Sequence, residues 1–296
     1  MLSRNSEAVI AVSTFKAADC DTDEQLIVLW LHGKSPHTRD AYKRDIRYFQ
    51  AFCEGRPLPR VKLNDVVAFS DALTAQGYSV GTIRRRINAV KSLLTFGEEI
   101  GYLPLNVGKK VKVPKGESSL AERILSESEA LKLIETEPNE RNRVMLRFMY
   151  ESGCRVSELI DLKWKNLQNR NGKGQVSILG KGSKLRVILL SSGLWNDLRS
   201  LRMSANPDSP VFASLRSGGR LTRSKVWDIV TAAAQRAGIQ GNVSPHWLRH
   251  AHASHSLDRG APVHLVQQTL GHASVATTSR YLHARPNDSS SLYLPE

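Results

Sequence analysis

Near its C-terminal end the chain reads SPHWLRH at residues 244–250, LGH at 270–272 and SRY at 279–281. The Ser-Pro pair is a helix-start signal, because serine can cap the first backbone N–H groups and proline fits the first helical position. His246 and Arg249 then share one helix face, where both side chains can reach one ligand. The N-terminal end of a helix also favours an anion. The spacing therefore predicts a phosphate-binding site.

Two more short helices are predicted after this one. A Gly-Ala-Pro sequence at 260–262 ends the first helix and starts the next, and Gly271 is a C-terminal stop signal. His272 therefore follows a helix end, a position from which a side chain can point into a cleft. A serine cap predicts a third helix over about 275–283, and we expect Tyr281 in its second turn.

Two upstream segments add further cations. The sequence GCRVSEL occupies 153–159 and LGKGSK occupies 179–184. Arg155 is predicted at the entrance of a helix, where its fork of donors can reach phosphate. Alternating apolar residues on both sides of the second segment predict a β-hairpin with Lys181 at its tip. A single Tyr or His is most often a packing or surface residue, but together these residues suit an attacked phosphodiester.

These segments resemble the tyrosine recombinase family, also called phage integrases, which includes the Xer-type resolvases of bacterial chromosomes. The boxes His-x-Leu-Arg-His, Leu-Gly-His and the later tyrosine carry the resemblance, with the arginine box and the lysine hairpin upstream in the family's order. The resemblance is strong over about residues 120–285 and rests on the pattern of residues alone over 20–113. It implies a mainly α fold with a small β-sheet. In that fold an N-terminal helical core-binding (SAM-like) domain and an α+β catalytic domain form a clamp around DNA.

The resemblance also implies how the site works. Tyr281 is the nucleophile that forms a covalent ester with the 3′ phosphate, and Lys181 is the general acid for the departing 5′ oxygen. Arg155 and Arg249 stabilise the charge that develops on phosphorus-bound oxygens in the transition state. Lys173 is a rival lysine between two glycines, but it is predicted in the turn that precedes the hairpin.

Other residues are expected to assist. His246 and His272 donate hydrogen bonds to the same phosphate oxygens, and one of these two accepts the tyrosine proton. Glu158 either orients Arg155 or forms an ordinary ion pair within its helix. His250 is expected to support the site through backbone or other indirect hydrogen bonds.

Composition restricts the class of protein. The chain of 296 residues has a formal net charge of +14, which favours a polyanionic partner. Since no apolar run is long enough for a bilayer and no signal peptide is found, we expect a cytosolic, nucleoid-associated protein without a membrane partner. Three widely spaced cysteines and the lack of a His-Glu-x-x-His array argue against disulfides and a metal site. Neither a metal nor another cofactor is expected.

The chain is predicted to have two domains. The catalytic domain opens with a serine-capped helix at Ser126 and a buried helix over 143–152. An N-terminal arm without periodicity is not expected to have regular structure. The predicted division is 1–19 arm, 20–107 helical core-DNA-binding domain, 108–119 basic linker, 120–285 catalytic domain and 286–296 C-terminal tail.

The helical domain contains amphipathic helices with basic outer faces. One begins at Ser35 and another at Ser79, with a third helix over 63–76 between them. Their charges either solvate the surface or bind DNA, and the resemblance favours DNA. The linker lysines are interpreted in the same way. The predicted DNA-binding residues are Arg39, Lys43, Arg44, Arg47, Arg84, Arg85, Arg86, Lys91, Lys109, Lys110 and Lys112.

The predicted function is site-specific recombination, in which DNA strands are cut and rejoined through a 3′-phosphotyrosyl intermediate. It would serve integration or excision of a mobile element, or replicon resolution. Two duplexes with two strands each imply four protomers, as a homotetramer or with a paired recombinase, on a specific double-stranded site. One alternative is a DNA-binding regulator on a recombinase scaffold, which usually lacks a site residue. Another is a type IB topoisomerase or telomere resolvase, which acts on one duplex.

Family members couple their protomers by lending a C-terminal segment to a neighbour. Here the candidate apolar plug is Leu292-Tyr293-Leu294. Pro286 and the serine run that follows it allow only a short helix in this tail. Tyr293 fits no family spacing as a rival nucleophile.

Overall fold

The computed structural model describes residues 20–114, 124–180 and 184–282. The chain divides into two compact units, Met1–Glu117 and Ser118–Glu296. Helices dominate both described parts, and a small antiparallel sheet lies in the second, which confirms the predicted fold class. The predicted arm and the C-terminal tail lie outside the described residues, as do residues 115–119 of the predicted linker.

The described part of the first unit is helical. Serine caps start two of its helices as predicted, because Ser35 accepts a hydrogen bond from the Thr38 N–H and Ser79 accepts one from the Thr82 N–H. The apolar faces meet in one core that contains Phe49, which is fully buried. The helices are α1 Asp23–Leu31, α2 Pro36–Phe52, α3 Leu63–Ala75 and α4 Val80–Glu99, with 3-10 helices at Leu58–Arg60 and Val107–Lys110.

The first residues of the predicted linker pack against this unit. Gly108 lies in the second 3-10 helix and is buried, and so is Val111. Lys91 of α4 donates a hydrogen bond to the Val111 carbonyl. These residues therefore close the core of the first unit, while Lys109, Lys110 and Lys112 point to solvent.

The second unit surrounds its sheet with helices. Its strands are β1 Leu167–Arg170, β2 Lys173–Leu179 and β3 Leu185–Leu190, in the order β1-β2-β3. Its helices are α5 Glu127–Glu135, α6 Glu140–Ser152, α7 Val156–Ile160, α8 Ser192–Ser200, α9 Arg223–Arg236, α10 Pro245–Asp258, α11 Val263–Leu270 and α12 Val275–Ser279. A short 3-10 helix, Trp164–Asn166, precedes β1.

The sheet contains one strand more than the sequence predicted. The predicted hairpin is β2–β3, and β1 adds a second hairpin through the turn at Asn171, which has a φ of 53°. Lys173 is consequently the first residue of β2, paired with Arg170, rather than a turn residue. The short and largely polar β1 carries little of the apolar alternation that identifies a strand.

The segment that ends at Tyr281 differs from the prediction. Ser274 caps α12 as expected, but the helix ends at Ser279. Tyr281 therefore lies beyond the helix, in a turn, and its backbone N–H donates to the Thr278 carbonyl at 3.0 Å. The predicted place in a second helical turn is wrong. The helix ends early because threonine and serine side chains favour helix ends over helix interiors. The Tyr281 ring is buried in a small core.

That small core carries the predicted nucleophile. It contains Ile124, Ala253, Val266, Leu270 and Tyr281, and it is distinct from the larger core between the sheet and α5–α10. Pro245 occupies the first turn of α10 as predicted, although the Ser244 hydroxyl makes no capping hydrogen bond. Within the described ranges no helix is long and apolar enough to cross a membrane.

Candidate active site

Arg249 is a buried cation held by backbone carbonyls. Its guanidinium donates to the carbonyl of Gly153 and, at 2.7 Å, to that of Leu270. Gly153 caps the C-terminus of α6, and Leu270 is the last residue of α11. Burial, followed by the charge of Arg155, lowers the pKa of Arg249 to about 10. It remains a cation at neutral pH, joined to the ends of two other helices.

Gly153 can be replaced by no larger residue without strain. It adopts a φ of 57°, in the left-handed region that glycine tolerates best. A Cβ atom there would lie 2.7 Å from Leu270 Cδ2 and 2.8 Å from His252 Cδ2. The glycine therefore lets α6, α10 and α11 approach closely where Arg249 connects them.

Arg155 is positioned by Glu158. As the N-cap residue of α7, Arg155 donates its backbone N–H to Glu158 Oε2 at 2.7 Å, and its Nη1 donates to Oε1 at 2.9 Å. The Arg155 side chain keeps 32% exposure, so its charge remains accessible to a ligand. These contacts fit both predicted roles of Glu158, since the i,i+3 ion pair also holds the arginine in one orientation.

A second arginine, Arg186 of β3, holds the same carboxylate. Its Nη1 and Nη2 donate to the two Glu158 oxygens at 2.9 and 2.6 Å. Its Nε donates to the Thr269 carbonyl at 2.7 Å. Burial alone would raise the pKa of Glu158, but the hydrogen bonds from Arg186 and Arg155 outweigh it and lower that pKa. Arg186 thus connects β3 to the last turn of α11, just before His272.

The lysine hairpin is present, although Lys181 itself lies outside the described residues. Leu179 pairs with Leu185, and the Gly180 N–H donates to the Lys184 carbonyl at 2.8 Å. The two strands on either side of residues 181–183 therefore pair as the predicted hairpin requires.

His272 lies between the arginines and the tyrosine. Its Nδ1 is 2.9 Å from the Thr278 hydroxyl, and its ring stacks on that of Tyr281 with centroids 6.5 Å apart and planes 5° apart. Burial, followed by the charges of Arg249 and Arg155, lowers the pKa of His272 to about 4. The imidazole is neutral at physiological pH and suits hydrogen bonding more than proton uptake.

His246, in the first turn of α10, is exposed and lies on the same side of that helix as His250. The two ring centroids are 6.2 Å apart. Partial desolvation, followed by the charges of Arg249 and Arg155, lowers the pKa of His246. The charge of Arg249 therefore acts on the His246 imidazole, while the Arg249 guanidinium itself is buried and directed toward the two carbonyls.

Tyr281 is 5% exposed, and its phenol is hydrogen-bonded to His250. The oxygen lies 2.7 Å from His250 Nδ1. Burial raises the pKa of the Tyr281 phenol, and the charges of Arg249 and Arg280 oppose that rise. His250 was predicted to support the site through backbone or other indirect hydrogen bonds, whereas here it contacts the phenolic oxygen of the predicted nucleophile.

The sequence matches the phage integrase family over residues 122–288 and the phage integrase N-terminal SAM-like domain over residues 24–99. The chain belongs to the phage integrase family. This integrase is similar to tyrosine recombinase XerC of Xylella fastidiosa strain M23, with 36% identity over 263 residues that cover 85% of this chain and 87% of XerC. With tyrosine recombinase XerD of Oceanobacillus iheyensis the identity is 33% over 282 residues, 89% of this chain and 94% of XerD. The chain is a Xer-like tyrosine recombinase.

Solved structures share the fold of this recombinase. The XerH post-cleavage complex with difH aligns with a TM-score of 0.72 and 23% identity, covering 88% of this chain and 80% of XerH. A lambda integrase (75-356) dimer bound to a COC' core site aligns with a TM-score of 0.74 and 18% identity, covering 90% of this chain and 95% of that one. Both alignments include most of both units.

The predicted DNA-binding residues of the recombinase fall into two groups. In the first group, Arg85 forms an ion pair with Asp45, which is buried on α2. Arg86 lies between the rings of Tyr48 and Tyr78, 4.0 and 4.2 Å from their centroids. Together with Lys91, these two arginines make internal contacts. The others are exposed: Arg39, Lys43, Arg44, Arg47, Arg84, Lys109, Lys110 and Lys112.

A cleft of about 460 Å³ opens beside Arg155, between α7 and β2. Lys163 and Lys165 line it, and both amino groups contact Asp208, at 3.0 and 2.7 Å. The sequence analysis did not single out this lysine pair. Their spacing of two around a tryptophan, just after the arginine box, is the only signal the sequence offered.

Arg186 was also missed, although a signal for it exists. In β3 the even-numbered positions, Ile188 and Leu190, face the core, and Leu185 and Val187 face solvent. Arg186 is therefore an arginine on the inward face of a strand, and such a charge requires a buried partner. For the described residues, no group of three or more potential ligands can hold a metal ion.

Proposed function

We propose that this tyrosine recombinase cuts DNA with the Tyr281 phenol, while Arg155 and Arg249 hold the attacked phosphate. The observation that carries the proposal is the linkage of the two arginines, His272 and Tyr281 within one unit. Arg155 and Arg249 reach the Leu270-Gly271 segment through hydrogen bonds, and His272 stacks on Tyr281. Fixed cations beside a phenol suit a phosphoryl transfer, since they stabilise the transition state without reorganisation.

The proposed reaction is a transesterification. The Tyr281 oxygen forms a bond to phosphorus as the bond to the 5′ oxygen breaks, and Lys181 protonates the departing oxygen. His246 and His272 act as neutral hydrogen-bond donors to the non-bridging oxygens. A 5′ hydroxyl from a second duplex then reverses the step. The ester conserves the energy of the broken bond, so the proposed reaction needs no ATP, other cofactor or metal.

DNA contacts are proposed for both units. The exposed basic residues of α2 and α4 and the exposed lysines after residue 107 suit the phosphate backbone in the first unit. In the second unit the cleft beside Arg155 suits the phosphates next to the cut, and Lys163 and Lys165 would exchange Asp208 for them. A phosphate carries the same charge as the carboxylate that now holds both lysines.

Four protomers on two duplexes are the proposed assembly, either of this chain alone or with a paired recombinase. A lambda integrase tetramer bound to a Holliday junction has the same fold, with a TM-score of 0.73 and 17% identity over 90% of this chain and 77% of that one. We propose that the protein works in the nucleoid, where its duplex DNA substrates would be found. Integration, excision and replicon resolution all use this one reaction.

The experiment is to incubate the purified chain with supercoiled DNA from its own replicon and to sequence the DNA ends that remain bound to protein. Tyr281→Phe is the matched variant, because it removes only the phenolic oxygen. We expect covalent 3′ ends at one recurring sequence, and none with the variant. Sequence-specific binding without covalent ends would favour the regulator, and relaxation of a single duplex without exchange would favour the topoisomerase.

A further inference from the structure

The phenol of Tyr281 has one hydrogen-bond partner among the three histidines near it. His250 Nδ1 lies 2.7 Å from the oxygen, well within hydrogen-bond distance. The His272 ring is parallel to the tyrosine ring with centroids 6.5 Å apart, and its Nδ1 is engaged by Thr278. The geometry therefore places His250, and not His272, in hydrogen-bond contact with the phenolic oxygen.

The charges around the other two histidines agree with this geometry. The charges of Arg249 and Arg155, together with desolvation, lower the pKa of His246, and they lower that of His272 to about 4. At neutral pH both imidazoles are therefore poor proton acceptors. The Tyr281 phenol is neutral as well, since burial raises its pKa. A neutral phenol attacking phosphorus needs a base within hydrogen-bond reach.

We propose that His250 is a catalytic residue whose Nδ1 takes the phenolic proton of Tyr281 as the phosphotyrosyl ester forms. The inference rests on the proposed function. In the forward step the tyrosine oxygen bonds to phosphorus, its proton passes to Nδ1, and the 5′ oxygen leaves with a proton from Lys181. His250 begins the step with its proton on Nε2 and ends it as an imidazolium.

The reverse step uses the same proton. When a 5′ hydroxyl attacks the ester, Lys181 takes its proton, and the His250 imidazolium returns a proton to the departing phenolate. A phenol has a pKa near 10 in water, so it leaves faster with a proton donor at 2.7 Å. This assignment replaces the expectation that His246 or His272 accepts the tyrosine proton.

The test compares two synthetic duplexes that carry the mapped target sequence. One has the ordinary phosphodiester at the cut, and the other has sulfur in place of the 5′ bridging oxygen. A thiolate leaves without a proton, so the sulfur substrate bypasses the general acid but still needs the base. Single-turnover cleavage rates are measured for the wild type, His250→Gln, Lys181→Ala and the exposed control His264→Gln.

We expect His250→Gln to lower the cleavage rate by about 100-fold or more on both substrates, which is the usual contribution of a general base. Lys181→Ala should be slow on oxygen and near wild type on sulfur, and His264→Gln should match the wild type throughout. Free imidazole should restore cleavage to His250→Gly, in proportion to its neutral fraction as the pH rises. A merely structural role for His250 would not produce that pH-dependent rescue.

Three results would overturn the assignment: a His250→Gln rate within about threefold of the wild type, recovery of this variant on the sulfur substrate, or no rescue of a folded and DNA-binding His250→Gly by imidazole. Thermal melting and DNA affinity identify variants that have lost their fold. A wild type that forms no covalent product with either duplex would instead contradict the proposed function.

Discussion

Replacing Glu158 with glutamine should destabilise the second unit by about 3 kcal/mol. The carboxylate accepts four hydrogen bonds of 2.6–2.9 Å, two from Arg155 and two from Arg186. Glutamine keeps one acceptor oxygen and replaces the other by an N–H₂ group, so two donors lose their partner. Hydrogen bonds to charged groups contribute about 1.5–3 kcal/mol each, and breaking a buried pair costs about 3–5 kcal/mol.

The effect should depend on pH in a defined direction. The pKa of Glu158 is lower in the folded chain than in the unfolded chain, because the arginine hydrogen bonds outweigh the effect of burial. Its contribution to the free energy of unfolding is therefore fully present above about pH 4.3, the ordinary value for glutamate, and is lost as the pH falls through the folded pKa. Glu158→Gln should differ most from the wild type near neutral pH and least in acid.

Urea unfolding of the full chain, followed by tryptophan emission, measures this difference. Four of the five tryptophans lie in the second unit. Asp161→Asn is the matched control, because it makes the same chemical change at an ion pair with Arg220 whose side chains are 60% and 66% exposed. Such a pair contributes at most about 1 kcal/mol. Equal destabilisation by the two substitutions at pH 7 would refute the reasoning.

Gly153→Ala should lower the free energy of unfolding by about 3 kcal/mol in the same urea assay, from its left-handed backbone and from overpacking; a change below 1 kcal/mol would contradict the close approach. Burial lowers the pKa of His252 to about 4, so the unfolded chain binds its proton first and stability should fall by up to about 3 kcal/mol as the pH drops from 6.5 to 4. His252→Asn should reduce the slope of the free energy of unfolding against pH by the equivalent of about one bound proton. An unchanged slope would mean that another group causes the pH dependence. Replacing both Lys163 and Lys165 with alanine should weaken DNA binding and reduce the slope of log affinity against log salt by about 0.9 per lost contact. Asp208→Asn should tighten binding, and a loss of affinity in a fluorescence anisotropy titration would count against the exchange of carboxylate for phosphate.

Local signals in the sequence predicted the helix starts well. Ser35, Ser79 and Ser126 each cap the helix that follows them, and Gly153 and Gly271 end α6 and α11 in the left-handed conformation. A cap or a stop depends on contacts within a few residues, which adjacent positions in the sequence reveal directly. The candidate site residues were likewise predicted from motifs whose members lie close together in the sequence.

Contacts between distant positions were the ones the sequence did not reveal. Arg186 binds Glu158 across 28 positions, and Tyr281 binds His250 across 31. The spacing within α2 and α4 indicated a basic face, but it did not show that Asp45 would bury itself against Arg85. Such pairings depend on how elements pack, and helical periodicity describes only one element at a time.

If Arg249 binds the attacked phosphate as proposed, the carbonyl oxygens that hold its guanidinium affect how quickly the phosphate docks. Both carbonyls lie at helix C-termini, where aligned peptide dipoles amount to about half a negative charge. A carboxylate at those positions would be a rival anion, and an incoming phosphate would first have to displace it. The partial negative charges of the two carbonyl oxygens orient the guanidinium but do not neutralise its full positive charge. A phosphate could therefore bind the guanidinium without displacing the carbonyls. In the proposed reaction, a phosphate that docks at Arg249 would therefore add to the existing contacts, whereas one that docks at Lys163 and Lys165 would replace Asp208.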